Sequence, residues 1–479
     1  MKTIQVEIAI IGAGTAGLAA YRAARLHGKR ALLIESGPYG TTCARVGCMP
    51  SKLLIAAAEA AHAAAAAPAF GVFPGTVRID GAAVMARVRR ERDRFVGFVL
   101  EGMEHIPLQD KVRGHARFMS ARQLQLDQHT TVDAERIVIA TGSSAIVPVA
   151  WRGPRVIISD DVFDWVDLPR SVAVIGSGVI GLELGQALHR LGVRVTIFAR
   201  GTSIAHLSDP QVLQAAHSVL AAEMDCRFGT RIASLNDDVH ANAVVLTSVD
   251  GAGLERVERF DYVLVAAGRS PNVDQLDLGL AGLALDARGV PLYDQHTMQC
   301  GSSAIFIAGD ADAELPLLPE AADQGKIAGE NAARYPLVQA GLRRTRLAIA
   351  FTEPQIATVG ASFKELCQSH AGKFALGSVS FEDQGRSRVM LQNQGLLRVY
   401  GAIGTGRFLG AEMFGPRAEH LGHLLAWACQ SGLTVAQMLE MPFYHPVIEE
   451  GVRTALRDLA KQLEATAAPE PCPDCTPGT

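Results

Sequence analysis

Near its N-terminus the chain reads IQVEIAIIGAGTAGLAAYRAARLHGKRALLIE: an apolar run, a glycine-rich turn, a helix-forming stretch and a second apolar run. Gly12, Gly14 and Gly17 form G-x-G-x-x-G, and Glu35 closes the second apolar run. Few short patterns constrain a fold as strongly. The first glycine makes the tight turn, the second lets backbone approach a pyrophosphate, and the third lets helix pack on strand. The helix N-terminus then meets the phosphate charge, and Glu35 is placed to accept hydrogen bonds from a ribose hydroxyl pair. The pattern recurs in SVAVIGSGVIGLELGQALHRLGVRVTIFAR, which supplies Gly176, Gly178, Gly181 and Gly185. Two such units predict two bound dinucleotides, most simply a flavin (FAD) and a nicotinamide. Where an acid would select NAD, the second unit ends in Ala199 and Arg200, and Arg200 could pair with a 2′-phosphate. The glycine at 181 is more usual with NAD, so NAD and NADP both stay open.

Other segments extend this plan. RIVIATGSSAIVP (136–148) reads as a strand ending in a turn at Thr141 and Gly142, and DYVLVAAGRSPN (261–272) as a strand and turn carrying Gly268 and Arg269. IFIAGDADAELPLLPEAADQGKIAG (305–329) reads as strand, loop and helix, with Gly309 and Asp310 at the strand end, where Asp310 would meet a flavin's ribityl chain. The chain of 479 residues has room for three domains, and 48% hydrophobic with 20% charged residues is a globular profile. A net charge of −4 with no basic block gives no reason to expect nucleic acid or an anionic membrane as partner. The apolar N-terminal run breaks into glycines too soon for a secretory core or a membrane span. Eight cysteines are sparse, which fits a cytoplasmic, reducing setting where a disulfide is catalytic rather than structural. The charged run ARVRRERDRFVGFVLEGM (86–103) has helical spacing and is expected to be a solvated helix.

One stretch remains unexplained by nucleotide binding. Residues 40–52 read GTTCARVGCMPSK, a C-x4-C spacing that is neither the C-x2-C of zinc sites nor the C-x-x-C of thioredoxin-like pairs. With this motif in place, the chain resembles the class I pyridine nucleotide-disulfide oxidoreductases, the family of dihydrolipoamide dehydrogenase, glutathione reductase and mercuric reductase. The resemblance rests on GAGTAG, CARVGC with PSK, ATGS, GSGVIGLELG, GRSPN, AGD, FTEPQIATVG and YHPVIEE, and runs to about residue 463. It implies an α/β fold with two Rossmann-like dinucleotide-binding domains and a C-terminal α+β dimerisation domain. The implied boundaries are 1–149 with 276–344 for FAD, 150–275 for NAD(P), and 345–465 for the dimer interface.

The resemblance also assigns roles. Cys48 lies against the flavin and Cys43 meets the substrate sulfur. An ideal helix would hold Cα atoms five apart roughly 8–9 Å from each other, and a disulfide needs about 4.4–6.8 Å. If the two bond, regular helix is excluded between them, and Gly47 supplies the slack. Pro50 suits the first turn of the following helix, whose dipole favours a Cys48 thiolate. Lys52 and Glu183 pair beside the flavin. Thr42 belongs with the cofactor contacts. His445 is the base and Glu450 orients it, reaching across a homodimer to the other chain's Cys43, so that both subunits build each site.

Within the family the substrate signal divides. PSK resembles dihydrolipoamide dehydrogenase and mercuric reductase more than glutathione reductase. GVIGLELG resembles the dihydrolipoamide dehydrogenase form, and His445 stands where mercuric reductases place tyrosine; TIFARGTSI and FTEPQIATVG resemble mercuric reductase. The leading expectation is a dihydrolipoamide dehydrogenase passing electrons to NAD⁺ from a separate lipoyl protein. The alternative is an NADPH-dependent reductase of another disulfide or a metal ion. Where the family usually has GGTCxNVGC, Thr41 and Arg45 depart from it, and Arg45 could lower a thiol pKa, greet an acidic partner, or simply be a solvated arginine. Cys226, Cys300, Cys367 and Cys429 have no partner spacing. The tail 466–479, in the stretch ATAAPEPCPDCTPGT (465–479), ends in Cys472 and Cys475 and reads as a flexible arm. Its dithiol could pass electrons onward or deliver metal to the active site, or be a plain tail or a weak zinc pair completed by another chain.

Overall fold

The computed structural model describes residues 2–467, so the CPDC tail lies outside the described residues. The apolar runs that open each nucleotide unit are continuous rather than alternating, which suits strands buried on both faces of a parallel sheet. Ile8, Ala9 and Ile10 are fully buried, as are Val172, Ala173 and Val174 in the second unit.

The first sheet has a parallel core in the order 111–113, 31–35, 2–11, 130–139 and 305–307. Strands Gln123–Gln125 and Arg117–Ser120 extend it in antiparallel fashion. The helix Thr15–Leu26 after the glycine turn packs on the helix Leu318–Arg334. Their approach depends on glycine: a Cβ on Gly325 would stand 2.2 Å from the Ala16 carbonyl oxygen, and one on Gly329 2.3 Å from that of Ala20. The second sheet is wholly parallel, in the order 225–228, 194–199, 171–175, 262–265 and 156–157. An antiparallel triplet, 231–238, 243–249 and 255–260, lies beside it. A third sheet is antiparallel, ordered 347–350, 355–360, 408–415, 396–402 and 374–380, and helices Ala418–Gln430 and Glu450–Ala467 are packed with it.

The helix Val179–Arg190 ties these parts together. Glu183, Gln186 and Arg190 fall on one face at i, i+3 and i+7. Glu183 accepts from the Phe351 amide at 2.9 Å, Gln186 exchanges two 2.8 Å bonds with the Glu353 backbone, and Arg190 pairs with Glu353 at 2.7 Å and Glu223 at 2.6 Å. A second tie is Glu412, fully buried, which accepts from the amides of Ser208 (2.6 Å), Asp209 (2.8 Å) and Phe363 (2.9 Å). Buried carboxylates persist where such donors replace water.

The charged run forms the helix Gly81–Glu104, as its spacing predicts, yet it is not simply solvated. Arg92 bonds the Phe163 carbonyl and Asp164, and Arg89 bonds the Trp165 carbonyl, so two of its arginines fasten it to 163–165. Among the described residues, one segment, Thr42–Phe70, is long and apolar enough to cross a membrane by length and hydropathy alone. It contains the Cys43–Cys48 motif; Leu54, Ile55 and Ala58 pack into the same core as the helix Val179–Arg190, while most of the segment is only partly buried or exposed.

Candidate active site

Both glycine turns close on carbonyl oxygens. Gly12 has φ +109°, and a Cβ there would lie 2.2 Å from the Ala140 oxygen; a Cβ on Gly17 would lie 1.9 Å from the Gly12 oxygen. The second unit repeats this at Gly176 (φ +123°, 2.2 Å from the Ala266 oxygen) and Gly181 (2.2 Å from the Gly176 oxygen). A Cβ on Gly14 or Gly178 would meet nothing within 4 Å, which leaves each helix N-terminus open to a ligand.

A cavity of about 400 Å³ lies over the first turn, lined among others by Gly12, Gly14, Glu35, Thr42, Arg45 and Thr141. Glu35 holds its mouth in shape by accepting from the Ala13 amide at 2.8 Å and the Gly37 amide at 2.7 Å. Thr141 Oγ1 is buried without a hydrogen-bond partner, an unmet polar atom in the cavity wall. These residues fit an FAD. The segments 143–145 and 269–271 pair as a short antiparallel ribbon. On it Arg269 donates to the Ser143 hydroxyl at 2.8 Å, and that hydroxyl donates to Asp310 at 2.6 Å. These bonds bring together the turns at Gly142, Gly268 and Gly309, all of which have positive φ. Asn272 completes the strip, donating to the Thr141 carbonyl at 3.0 Å. Sequence reasoning passes over Ser143 and Asn272, although both stand in the ATGS and GRSPN motifs it uses. Arg200 follows the end of strand Arg194–Ala199 and is exposed.

The cysteine motif breaks where glycine permits it. A short helix, Thr42–Val46, stops at Gly47 (φ −122°, ψ −120°), and Cys48 begins the helix Cys48–Ala66. A Cβ on Gly47 would sit 3.0 Å from the Thr42 oxygen and 3.1 Å from Cys43 Cα, so bulk at 47 would push the two turns apart. The Cys43 thiol donates to Cys48, and this bond is the largest influence on both. It pulls Cys48 down to about 6 against the opposing effect of burial; the Lys52 charge helps, and Glu183 opposes. Cys43 is pushed well up by the same bond and by burial. The pair thus has a division of labour, with Cys48 as the thiolate. Lys52 Nζ sits 2.7 Å from Glu183 Oε2 and 4.7 Å from the centroid of the Phe351 ring. Glu183 is 4% exposed, so the charge that sequence reasoning judges costly does have its partner.

Arg45 corrects an expectation. Its Nη1 donates to the Pro38 carbonyl at 3.3 Å, Arg45 lines the cofactor cavity, and it is not among the main influences on either thiol. The charges that act most on Cys48 are Lys52 and Glu183. Thr41 is also unusual, with φ +58° and ψ 149°, a region suited to glycine. Such a residue stores on the order of 1–3 kcal/mol of strain, offset in part by its hydroxyl accepting from the Ala44 amide at 3.3 Å.

His445 Nδ1 lies 2.9 Å from Glu450 Oε2. Glu450 also takes Arg453 at 2.9 Å, a partner sequence reasoning misses. Burial raises the Glu450 pKa, but the His445 bond, the Val447 amide and the His445 and Arg453 charges outweigh it and hold the carboxyl below its usual range. The imidazole is 80% exposed, and among the described residues its hydrogen bond runs to Glu450 and not to a cysteine of its own chain.

This arrangement of two nucleotide turns and a dithiol is that of a flavin disulfide reductase. The chain belongs to the class I pyridine nucleotide-disulfide oxidoreductase family: residues 6–325 match the pyridine nucleotide-disulphide oxidoreductase model, and 347–456 match that family's dimerisation domain. Its members use FAD and NAD(P)H. The chain is 31% identical to mercuric reductase of Acidithiobacillus ferrooxidans, over 96% of this chain and 84% of that protein. It is 30% identical to dihydrolipoyl dehydrogenase of Thermus scotoductus, over 96% of this chain and 98% of that protein. A solved structure of the HOCl-induced flavoprotein disulfide reductase RclA from Escherichia coli, a Cu(II) complex, superposes with a TM-score of 0.78 at 22% identity. The match covers 95% of this chain and 99% of that one, and it shows the shared fold.

Proposed function

We propose that the protein is a homodimeric dihydrolipoamide dehydrogenase, oxidising the dithiol of a lipoyl-bearing partner and passing the electron pair to NAD⁺. The substrate thiolate attacks Cys43 Sγ of the oxidised Cys43–Cys48 disulfide and displaces Cys48 as a thiolate. The second substrate thiol then attacks the substrate sulfur of the mixed disulfide, closing the lipoyl disulfide and releasing Cys43, so that the pair ends reduced. His445 takes the substrate thiol proton and Glu450 stabilises the resulting charge. Bound FAD supplies the two-electron relay between the cysteine pair and the nicotinamide. Lys52, neutralised by Glu183, holds the Cys48 thiolate and the cofactor edge in register. The homodimer is supported by the dimerisation domain; in this reading His445 serves the partner subunit's Cys43.

The observation that carries the proposal is the imidazole of His445 fixed by Glu450, a proton acceptor suited to a thiol substrate. A second reading, an NADPH-driven reductase of another disulfide or of a metal ion, is favoured by Ala199 standing where an acid would select NAD, followed by Arg200. The FAD-loaded enzyme is to be assayed with dihydrolipoamide and either NAD⁺ or NADP⁺. Fast NAD⁺ reduction supports the proposal. No turnover with either, but rapid flavin reduction by NADPH, replaces it with the second reading.

A further inference from the structure

We propose that Arg45 is the phosphate-reading cation of the flavin cleft, a role independent of which disulfide the enzyme turns over. In sequence Arg45 stands between the two cysteines; in space it serves the other side of their loop. Its guanidinium donates to the Pro38 carbonyl, three residues past Glu35, and Arg45 is among the residues lining the cavity that also holds Gly12 and Gly14. Gly40 clears its route. That glycine has φ +118°, and a Cβ on it would stand 3.0 Å from Arg45 Cδ and 3.2 Å from Cγ. The methylenes therefore cross the loop where a side chain would block them.

Charge argues the same way. The residues lining the cavity include two carboxylates, Glu35 and Asp274, and Arg45 is the one lysine or arginine among them. A dinucleotide brings a doubly charged pyrophosphate into this cleft. The helix beginning at Thr15 offers about half a positive charge at its N-terminus, which alone does not balance those anions. A guanidinium supplies a full charge in a fork that matches phosphate oxygens. Where the family's usual motif has asparagine, this chain thus places a permanent cation in the wall of the cleft that takes the dinucleotide.

The test uses flavin-stripped protein titrated with FAD, followed by flavin fluorescence, for wild type, Arg45→Gln and Arg45→Lys. Arg45→Gln is expected to weaken FAD about tenfold or more, with Arg45→Lys between, since one charge-assisted phosphate contact is worth roughly that factor. ADP, which carries the pyrophosphate without the flavin ring, should lose affinity by the same factor in a competition titration. The dependence of FAD affinity on salt should also flatten in Arg45→Gln. Melting of the stripped protein should be unchanged while the FAD-loaded form melts lower. The idea is overturned if FAD binding stays within about twofold of wild type, if FAD weakens while ADP does not, or if the stripped variant melts as much lower as the loaded one.

Discussion

At the scale of the residue, Cys48 and Cys43 show how two chemically identical groups are driven apart. The thiol of one is the hydrogen-bond donor that makes the other a thiolate, and Lys52 adds to it. In the reduced protein, the ultraviolet absorbance of the thiolate should report Cys48 titrating near pH 6, and Cys43→Ala should move that midpoint upward. The sign for stability follows from linkage. A folded pKa near 6 against an ordinary thiol value near 9 means the unfolded chain binds more protons between those pH values. The reduced enzyme should therefore gain stability over Cys48→Ser as pH rises from about 6 to 9, and lose that advantage as pH falls through 6; parallel melts across this range check it. The cysteines, Lys52 and His445 are legible in sequence because their neighbours form named motifs. Arg45 is not, because sequence order says nothing about which side of a loop a long side chain takes. Thr41 is visible as a departure, but only its backbone angle shows that it occupies ground better suited to glycine.

At the scale of the element, the apolar runs and glycine turns foretell the central parallel strands of both sheets, buried on two faces, but not the short edge strands 111–113, 156–157 and 225–228 or the antiparallel pair 117–125. Nor do they foretell how a helix uses its polar side. In sequence the helix Val179–Arg190 stands out for its glycines and Glu183; its Gln186 and Arg190 read as ordinary helix polarity until Phe351–Glu353 comes against them. The side chain of Arg190 is 6% exposed between two carboxylates, Glu223 and Glu353. Arg190→Met should leave those carboxylates facing each other and cost about 3 kcal/mol, in line with breaking a buried pair from one side. Denaturant unfolding of the FAD-loaded protein would measure it; Glu353→Gln in the same background should restore part of the loss.

At the scale of the whole molecule, the exposed His445 and a cysteine pair on a separate domain make sense in a homodimer in which each chain completes the other. Subunits carrying Cys48→Ser and subunits carrying His445→Ala, each inactive, should on denaturation and joint refolding recover about a quarter of wild-type turnover, since random pairing in a two-fold dimer makes half the dimers mixed, each with one intact site. Recovery near zero would place both groups on one chain. The buried stripe on the helix Val179–Arg190 also bears on redesign: Arg200, at the tip of the following strand, is exposed and takes no part in that stripe. A substitution at that solvent-facing tip therefore leaves untouched the joinery that fastens this helix to Phe351–Glu353 and Glu223.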